Sequence, residues 1–497
     1  MSPTQWQAAA IVVYLVAMVV IGFWGHRQTS DLDDYMLGGR RLPAVTSALS
    51  AGAADMSGWL LMGLPGAIYL SGLAQAWIAI GLTVGAWTNW KIVAPRLRSY
   101  TEVAGDAITL PSFFSNRLHD RSNILRIIAG AIILVFFTFY VSSGMVAGGT
   151  FFESSFGVRY LWGMLTVAAV TVAYSLVGGF LGVSWTDVVQ GTMMLLALIV
   201  LPAVGIAHVG GWSAMVAQIH DVDPNLLHLL TGTTSLGIVS AVVWGLGYFG
   251  QPHILVRLMA LSSPAEAAKA RRIGIGWMLL SCLGAMVTAL VGVAVYHHDE
   301  HALPNPEGVF IALGQLLFHP FVAGFLLAAI LAAIMSTISS QLIVTSSALV
   351  EDVYRGITHR SLSPRQGVWL GRAGVLVVAV VATALAVQRS DTILGLVAFA
   401  WAGFGAGFGP TTLLTLWWRR LTAAGAAAGM FLGATTVFVW HHLGQTRGGI
   451  FTLYEILPGF VVNLVVAVVV SLLTRAPEAS VGEEFERAAA LARSGRR

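Results

Sequence analysis

The sequence predicts an all-α polytopic membrane protein, and three observations predict this class. Of the 497 residues, 57% are hydrophobic and only 10% are charged, whereas soluble domains usually carry about 25% charged residues. The mean hydropathy is +0.79. Apolar stretches of roughly 20 residues, the length that crosses a bilayer, recur along most of the chain. The net charge of +4 comes from basic residues spread over loops, so it does not indicate a nucleic-acid partner.

The apolar stretches predict about thirteen transmembrane helices. They lie at roughly 5–25, 45–71, 73–93, 125–152, 160–182, 186–208, 233–257, 274–296, 321–350, 368–388, 391–418, 423–443 and 452–474. The first stretch lacks the basic start and the small-residue cleavage site of a signal peptide, so we expect it to be a retained span. Residues 1–474 are therefore expected to form one transmembrane domain, followed by a charged, helical tail at 475–497.

The distribution of basic residues predicts the orientation of the chain. With the N-terminus outside, all but three of the 27 Lys and Arg residues fall on the cytoplasmic side, the exceptions being Arg159, Arg389 and Arg447. Cytoplasmic loops of membrane proteins carry such an excess of positive charge. An odd number of spans then places the C-terminal tail in the cytoplasm. The protein is expected in a bacterial inner membrane.

Two small features have plain structural interpretations. The single cysteine, Cys282, excludes an intramolecular disulfide framework and lies in an apolar run where we expect it to pack. The outside loop contains "HHDEH" at 297–301, a cluster that can suggest metal binding. A solvated loop is the favoured interpretation of that cluster.

Two predicted spans contain sequences that are unusual for a lipid-facing helix. The second span carries "SAGAADMSGW", with an aspartate and two glycines, and the seventh carries "VVWGLGYFGQPHIL", with three glycines and a proline. Glycine weakens a helix and proline removes a hydrogen-bond donor. Transporters built from inverted repeats place broken helices at matching positions of their two halves. With the first span set aside, these two begin the successive sets of five spans at about 45–208 and 233–418, which favours a binding site at the breaks over simple close packing.

The third span of the second set adds a polar face. In "ILAAIMSTISSQLIV", Ala333, Ser336, Thr337 and Ser340 share one side of a helix. Such hydroxyls can bond to carbonyls of the preceding turn or hold helices together. Alternatively, they can join backbone carbonyls in a sodium site, because hard cations prefer oxygen ligands and no His or Cys accompanies these residues. Both interpretations stay open at this point.

Several motifs together resemble the sodium/solute symporter family, and within it the sodium/proline branch. They are "DYMLGGRRLP", "TSALSAGAADMSGWLLMGLPGAIYLSGL", "YSLVGGFLGVSWTD", "WGLGYFGQPHIL", "ILAAIMSTISS", "WAGFGAGFGP" and "YEILPGF". The resemblance covers nearly the whole chain. It implies a leucine-transporter-like core of five plus five inverted spans that works by alternating access.

The resemblance also implies roles for individual residues. The sodium site would use carbonyls of Ala53, Met56 and Ala333 and the hydroxyls of Ser336 and Thr337. The substrate pocket would be lined by Ser57, Trp59, Tyr140, Trp244 and Tyr248. Coupling and gating would involve Asp55 in the first broken helix, Asp187 near the cytoplasmic exit, and Arg40 and Pro252 on the inner side.

The function that the resemblance implies is sodium-coupled uptake of L-proline, with sodium as the coupling ion and no other cofactor. Aromatic faces suit both the ring and the cationic amine of this zwitterion. Alternatives are symport of another small solute, such as pantothenate or choline, and coupling to protons through Asp55. A channel or a sensor is a further alternative. The sequence shows no nucleophile–base pair or HExxH motif, so we do not expect an enzyme. Neither oligomeric state nor affinity follows from the sequence.

Overall fold

The computed structural model describes residues 1–26, 37–296, 302–358, 363–388 and 391–494. Within these ranges the chain is helical, and one isolated bridge pairs Leu42 with Leu261. The helices are α1 Pro3–His26, α2 Ala44–Asp55, α3 Leu64–Ser71, α4 Ala76–Thr88, α5 Ala94–Val103, α6 Leu110–Arg117, α7 Ile124–Phe156, α8 Tyr160–His208, α9 Trp212–Val222, α10 Ser235–Val242, α11 Pro252–Met259, α12 Glu266–Tyr296, α13 Val309–Leu317, α14 Pro320–Ser347, α15 Arg355–Thr358, α16 Pro364–Ala386, α17 Ile393–Trp417, α18 Ala423–Arg447, α19 Ile456–Leu473 and α20 Ala479–Ser494. The "HHDEH" cluster lies outside the described residues.

Ten helical stretches of the described chain are long and apolar enough to cross a membrane. Shorter apolar helices lie among them at Tyr160–Ala173, Ser235–Phe249 and Pro306–Leu317. The all-α polytopic class is therefore confirmed, while the number of about thirteen spans stays a prediction. The stretch Trp59–Val103 contains the end of the predicted span 45–71 and the whole of the predicted span 73–93, which Gly72 separates at a φ of 70°.

The two spans predicted at 160–182 and 186–208 form one helical element, α8, with a kink at Gly179. Gly179 has φ 60° and ψ −179°, a backbone conformation that side chains with a Cβ rarely adopt. The sequence "LVGGF" thus places a glycine where the helix direction must change. The predicted boundary at 183–185 was a few residues too late.

Helix α4 lies backbone to backbone against the segment that follows α10. A Cβ added at Gly81 would collide with the backbone of Val242, and one added at Gly85 would collide with the backbone of Gly245. Gly245 meets the carbonyl of Gly81 in the same way. Small residues permit such close approach of membrane helices, so these glycines fix how the second broken helix sits in the fold.

The helical tail predicted after residue 475 is present as α20. It packs on α5, with the ring of Phe485 6.1 Å from that of Tyr100 in an edge-on arrangement. The Arg117 guanidinium lies 5.4 Å from the Phe485 ring, and Glu484 pairs with His119 at 3.3 Å. The tail is therefore attached to the long segment between α5 and α7.

Candidate ion and substrate site

The first break interrupts the helix that carries "SAGAADMSGW". Helix α2 ends at Asp55, and Met56 leaves the helical region with φ −81° and ψ 70°. Helical structure resumes with a π-helical turn at Trp59–Gly63, which continues into α3. Carbonyl groups at the end of a helix lack partners from a following turn. The interruption between Asp55 and Trp59 lies inside "SAGAADMSGW", where the sequence predicts it.

The second break lies in "WGLGYFGQPHIL". A 3-10 helix covers Val243–Phe249, Gln251 is extended with φ −77° and ψ 108°, and Pro252 begins α11. Proline suits the first position of a helix because its fixed φ is helical and its missing N–H needs no partner there. Pro252 thus marks the restart of this helix, and it is buried.

Asp55 and Tyr248 connect the two breaks. The Tyr248 hydroxyl donates a hydrogen bond to Oδ2 of Asp55, while Oδ1 has no hydrogen-bond partner within the described chain. Asp55 is only 3% exposed. A buried carboxylate oxygen is costly unless a donor or a cation compensates it. The geometry therefore provides a buried anionic group beside the break, with one oxygen available.

Three of the five predicted sodium ligands lie together. The Ser336 hydroxyl is 2.7 Å from the Ala53 carbonyl oxygen and 3.2 Å from that of Ala333. Thr337 follows on the same helix, and its buried hydroxyl has no hydrogen-bond partner in the part of the chain that is described. Met56, the fifth, directly follows the last residue of α2. Within the described residues, no side-chain hydrogen bond joins Met56 or Thr337 to the other three.

This set of oxygens suits a hard monovalent cation. Backbone carbonyls and neutral hydroxyls replace the hydration shell of alkali ions, and α14 brings them against the end of α2. Among the described residues no group of three or more His, Cys, Asp or Glu side chains is arranged to hold a metal ion. Transition metals generally require such softer or anionic ligands. Neutral carbonyl and hydroxyl oxygens of this kind are ligands that alkali ions use.

The predicted pocket aromatics have different neighbours in the structure. The Trp59 indole donates to the Asp55 carbonyl at 3.2 Å, and the Tyr140 ring meets that of His253 edge-on at 5.8 Å. The ring of Trp244 is stacked on another aromatic ring, and its carbonyl accepts a hydrogen bond. All of these residues are buried, as is Ser57.

A narrow cavity lies beside Asp55, Met56 and Tyr248. Its other walls include Trp90 and Trp277, which the sequence analysis did not single out. The Trp277 indole donates to the Gly191 carbonyl at 2.9 Å, so its position is fixed. A tryptophan within an apolar run gives no signal that separates a cavity wall from ordinary packing.

Asp187 is buried in a polar network rather than lying near a surface. Its Oδ2 accepts hydrogen bonds from Ser50 at 2.7 Å and from the Arg257 guanidinium at 2.9 Å. Arg257 also donates to Ser340 at 2.6 Å. The side chains of Arg257 and Asp187 are 1% and 0% exposed. Nothing in the sequence next to either residue indicates this pair.

Arg40 joins the chain before α2 to the end of α11. Its guanidinium donates to the Met259 carbonyl at 3.0 Å, to Thr101 at 2.9 Å and to the Ala107 carbonyl at 2.8 Å, and it pairs with Asp106 at 2.8 Å. Burial lowers the pKa of Arg40, and the nearby Asp106 carboxylate opposes that shift. Arg40 thus binds both broken helices to the segment after α5.

Two discontinuous helices that meet at a buried carboxylate, beside carbonyl and hydroxyl oxygens on α14, define a cation-coupled transporter with a leucine-transporter-like fold. Residues 35–433 match the model of the Sodium:solute symporter family. The chain belongs to this family, and it is therefore a transporter and not an enzyme.

Two curated relatives cover almost the whole chain. The chain is 56% identical to the "High-affinity proline transporter PutP" of Bacillus subtilis (strain 168), over 94% of this chain and 98% of the relative. It is 51% identical to the "Sodium/proline symporter" of Staphylococcus aureus (strain NCTC 8325 / PS 47), over 97% of this chain and 96% of the relative.

Solved structures confirm the predicted fold. A Na⁺-coupled sialic acid symporter in a substrate-bound outward-open state superposes with a TM-score of 0.80 at 19% identity, covering 95% of this chain and 99% of the other. Mhp1, a nucleobase-cation-symport-1 family transporter in a closed conformation, gives a TM-score of 0.55 at 13% identity, covering 93% of this chain and 99% of the other. Both are transporters of the leucine-transporter-like class, which confirms the five-plus-five fold class.

Proposed function

We propose that the chain couples inward movement of sodium to uptake of L-proline by alternating access. The observation that carries the proposal is the contact of Ser336 with the Ala53 carbonyl, because it brings the hydroxyls of α14 to the break in α2. The names of the two relatives, at 56% and 51% identity, support proline as the solute. The proposed coupling ion thus rests on the contact between α14 and the break in α2, and the proposed substrate rests on the relatives.

The sodium ion would bind the carbonyls of Ala53, Met56 and Ala333 and the hydroxyls of Ser336 and Thr337. When sodium enters, the Ser336 hydroxyl would turn from its carbonyl acceptors, because its oxygen must then face the ion. The closeness of the Ser336 hydroxyl to the Ala53 and Ala333 carbonyl oxygens supports the assignment, since these three groups are among the proposed ligands.

Asp55 would contribute without being assigned as a direct ligand. Its buried charge makes the region favourable for a cation, and its contact with Tyr248 carries any change at the first break to the second. The proline zwitterion would then lie among Ser57, Trp59, Tyr140, Trp244 and Tyr248. Aromatic faces attract its cationic amine and cover its apolar ring.

Coupling between the two ligands is reciprocal. If bound sodium tightens proline binding, bound proline must tighten sodium binding by the same factor. One sodium ion with a neutral zwitterion carries one net charge, which supplies about 2.3 kcal/mol at 100 mV. A tenfold sodium gradient adds about 1.4 kcal/mol. Together these could support accumulation of several-hundred-fold, on the order that 1.4 kcal/mol per tenfold implies.

The spanning helices and the bacterial relatives support an inner-membrane protein. We place the N-terminus outside and the C-terminal tail in the cytoplasm, and the core repeats at about 45–208 and 233–418, on the charge and span patterns. In this orientation Arg40, Asp187 and Pro252 act on the inner side. Arg40 would hold the cytoplasmic ends of both broken helices together, and its contacts would have to break for release.

Uptake of labelled L-proline into proteoliposomes tests the proposal, with and without an inward sodium gradient at fixed pH. We expect accumulation that requires the sodium gradient. Replacing sodium by choline while imposing a pH gradient separates sodium from proton coupling. Absence of proline uptake, with uptake of pantothenate or choline instead, would reject proline and leave the symporter class in place.

A further inference from the structure

The segment between α18 and α19 contributes one residue, Tyr454, to the interior of the core. Tyr454 is only 7% exposed, although it lies with Leu453 and Glu455 in the connection between two helices. Its backbone N–H donates to the Ser240 hydroxyl of α10 at 3.0 Å, and its own hydroxyl donates to the Ala398 carbonyl of α17 at 2.7 Å. One hydrogen bond therefore holds the backbone of Tyr454 and the other holds its side chain, each to a different helix.

The ring of Tyr454 lies against the ring of Trp244. The two centroids are 5.1 Å apart and the planes are inclined by 28°, an arrangement in the range that favours aromatic pairs. The backbone of Trp244 is also held in place, because the Trp401 indole donates to the Trp244 carbonyl at 2.8 Å. Trp401 in turn meets Tyr248 edge-on at 5.2 Å. Contacts thus run without interruption from Tyr454 to the tyrosine that bonds Asp55.

We propose that Tyr454 is a positioning residue that fixes the Trp244 ring as a wall of the substrate pocket and so determines which ring size of cyclic amino acid fits. This inference rests on the proposed function, because it takes Trp244 as a pocket residue. The family model ends at residue 433, before the segment that contains Tyr454. In this proposal, the part of the chain that follows residue 433 takes part in substrate selection through Tyr454.

The rest of the segment is built to keep Tyr454 in place. The Trp440 indole of α18 donates to the Leu453 carbonyl at 2.9 Å, and His441 of the same helix contacts Glu455 at 3.2 Å. Both neighbours of Tyr454 are therefore attached to α18. Removing the Tyr454 ring would leave space beside Trp244, and the indole could then turn away and widen the pocket.

The test uses three variants in proteoliposomes. Tyr454→Ala removes the stacking, Tyr454→Phe keeps the ring and removes the bond to Ala398, and Tyr160→Phe removes a comparable hydroxyl–carbonyl bond, to Ala386 at 2.6 Å, outside the site. The measurements are the KM for proline, the sodium concentration for half-maximal uptake, and competition by azetidine-2-carboxylate and pipecolate, the four- and six-membered ring analogues.

For Tyr454→Ala we expect a KM for proline about two- to tenfold higher, as loss of an aromatic pair implies. Competition by pipecolate relative to azetidine-2-carboxylate should strengthen, with sodium activation unchanged. Tyr454→Phe and Tyr160→Phe should keep the selectivity of the parent protein. Lower maximal uptake in Tyr454→Ala with unchanged selectivity would overturn the inference, because that is the result of a purely structural role.

A second measurement does not depend on the solute. In a Cys282→Ala background, Trp244→Cys places a thiol at the position that Tyr454 contacts. Labelling of this thiol by a maleimide should be several-fold faster when Tyr454→Ala is added, and unchanged when Tyr160→Phe is added. Equal labelling rates with and without Tyr454 would overturn the inference. If the parent protein accumulates no proline, the proposed function fails, while this experiment still tests whether Tyr454 covers position 244.

Discussion

The Tyr248 hydroxyl donates a hydrogen bond to the Asp55 carboxylate, and this contact joins the two broken helices. Asp55 is the last residue of α2, and Tyr248 lies in the 3-10 helix just before the second break. Each residue is therefore at the point where its helix changes geometry. This hydrogen bond therefore links the two breaks directly, in addition to the contacts that Arg40 and Arg257 make between the same helices.

Tyr248→Phe should weaken sodium activation because it removes the donor that fixes Asp55. A hydrogen bond to a charged group contributes about 1.5–3 kcal/mol, so the sodium concentration for half-maximal uptake should rise by about tenfold to a hundredfold. Sodium-dependent proline uptake measures this. Tyr69→Phe, which loses a hydroxyl bond to the Tyr296 carbonyl, is the matched control. Normal sodium activation of Tyr248→Phe would show that the contact has no part in coupling.

Asp55→Asn should raise the sodium requirement at least about tenfold, because it removes the buried charge and keeps the shape and an acceptor for Tyr248. The variant should remain in the membrane in normal amount, as judged by immunoblot. Uptake measured over a range of sodium concentrations tests the effect. If the variant shows the sodium dependence of the parent protein, Asp55 has no role in ion binding.

Ser336→Ala and Thr337→Ala should each weaken sodium activation, with a smaller effect on the proline KM at saturating sodium. Each removes one proposed oxygen ligand, and we expect a loss of about 1 kcal/mol or more, or roughly fivefold in apparent sodium affinity. Ser339→Ala is the control, because its buried hydroxyl donates to the Ser336 carbonyl and lies on the same helix. An equal loss in Ser339→Ala would point to helix distortion instead of a lost ligand.

Arg257→Met should destabilise the protein by about 3–5 kcal/mol, because it leaves Asp187 buried without its cationic partner. Thermal unfolding in detergent measures this as a lower transition temperature. Adding Asp187→Leu to the same chain should restore much of the stability, since a buried ion pair can be replaced by apolar side chains at little cost. A double variant that is no more stable than Arg257→Met would contradict this account.

Arg40→Gln should loosen closure on the inner side, because it removes donors to the Met259 and Ala107 carbonyls and the pair with Asp106. We expect slower maximal uptake with a KM for proline within about twofold of the parent value, a change below 0.5 kcal/mol. Arg41→Gln, the exposed neighbour, is the control and should behave as the parent. A large rise in KM with normal maximal uptake would assign Arg40 to substrate binding instead.

The sequence was sufficient for the breaks and insufficient for the contacts between them. Glycine and proline near residues 58 and 252 have local consequences for the backbone, so both discontinuities could be predicted from neighbouring residues. The bond between Asp55 and Tyr248 spans 193 positions in sequence. Nothing local to either residue indicates the other, and the resemblance to a family was needed to group them.

Arg257 and Tyr454 show two other limits. The rule that places basic residues on the cytoplasmic side concerns only topology, so it does not indicate that Arg257 pairs with Asp187, 70 positions away. Tyr454 lies at the start of the last predicted span, 452–474, where a tyrosine is ordinary at a membrane interface. Its contact with Trp244 exists only once α18 and α19 have packed against the core.

The close glycine contacts between α4 and the segment around Gly245 restrict how the transporter can move. With no side chain between the two backbones, α4 and the segment around Gly245 pack at closer range than residues with a Cβ would allow. We expect α4 and this segment to move together as a rigid unit. Bending of the broken helices would then be concentrated near residues 56–58 and 250–251. A bulkier residue at Gly81, Gly85 or Gly245 would therefore force the two backbones apart. Movement of α4 would then no longer be transmitted to the second break and the proposed ion site.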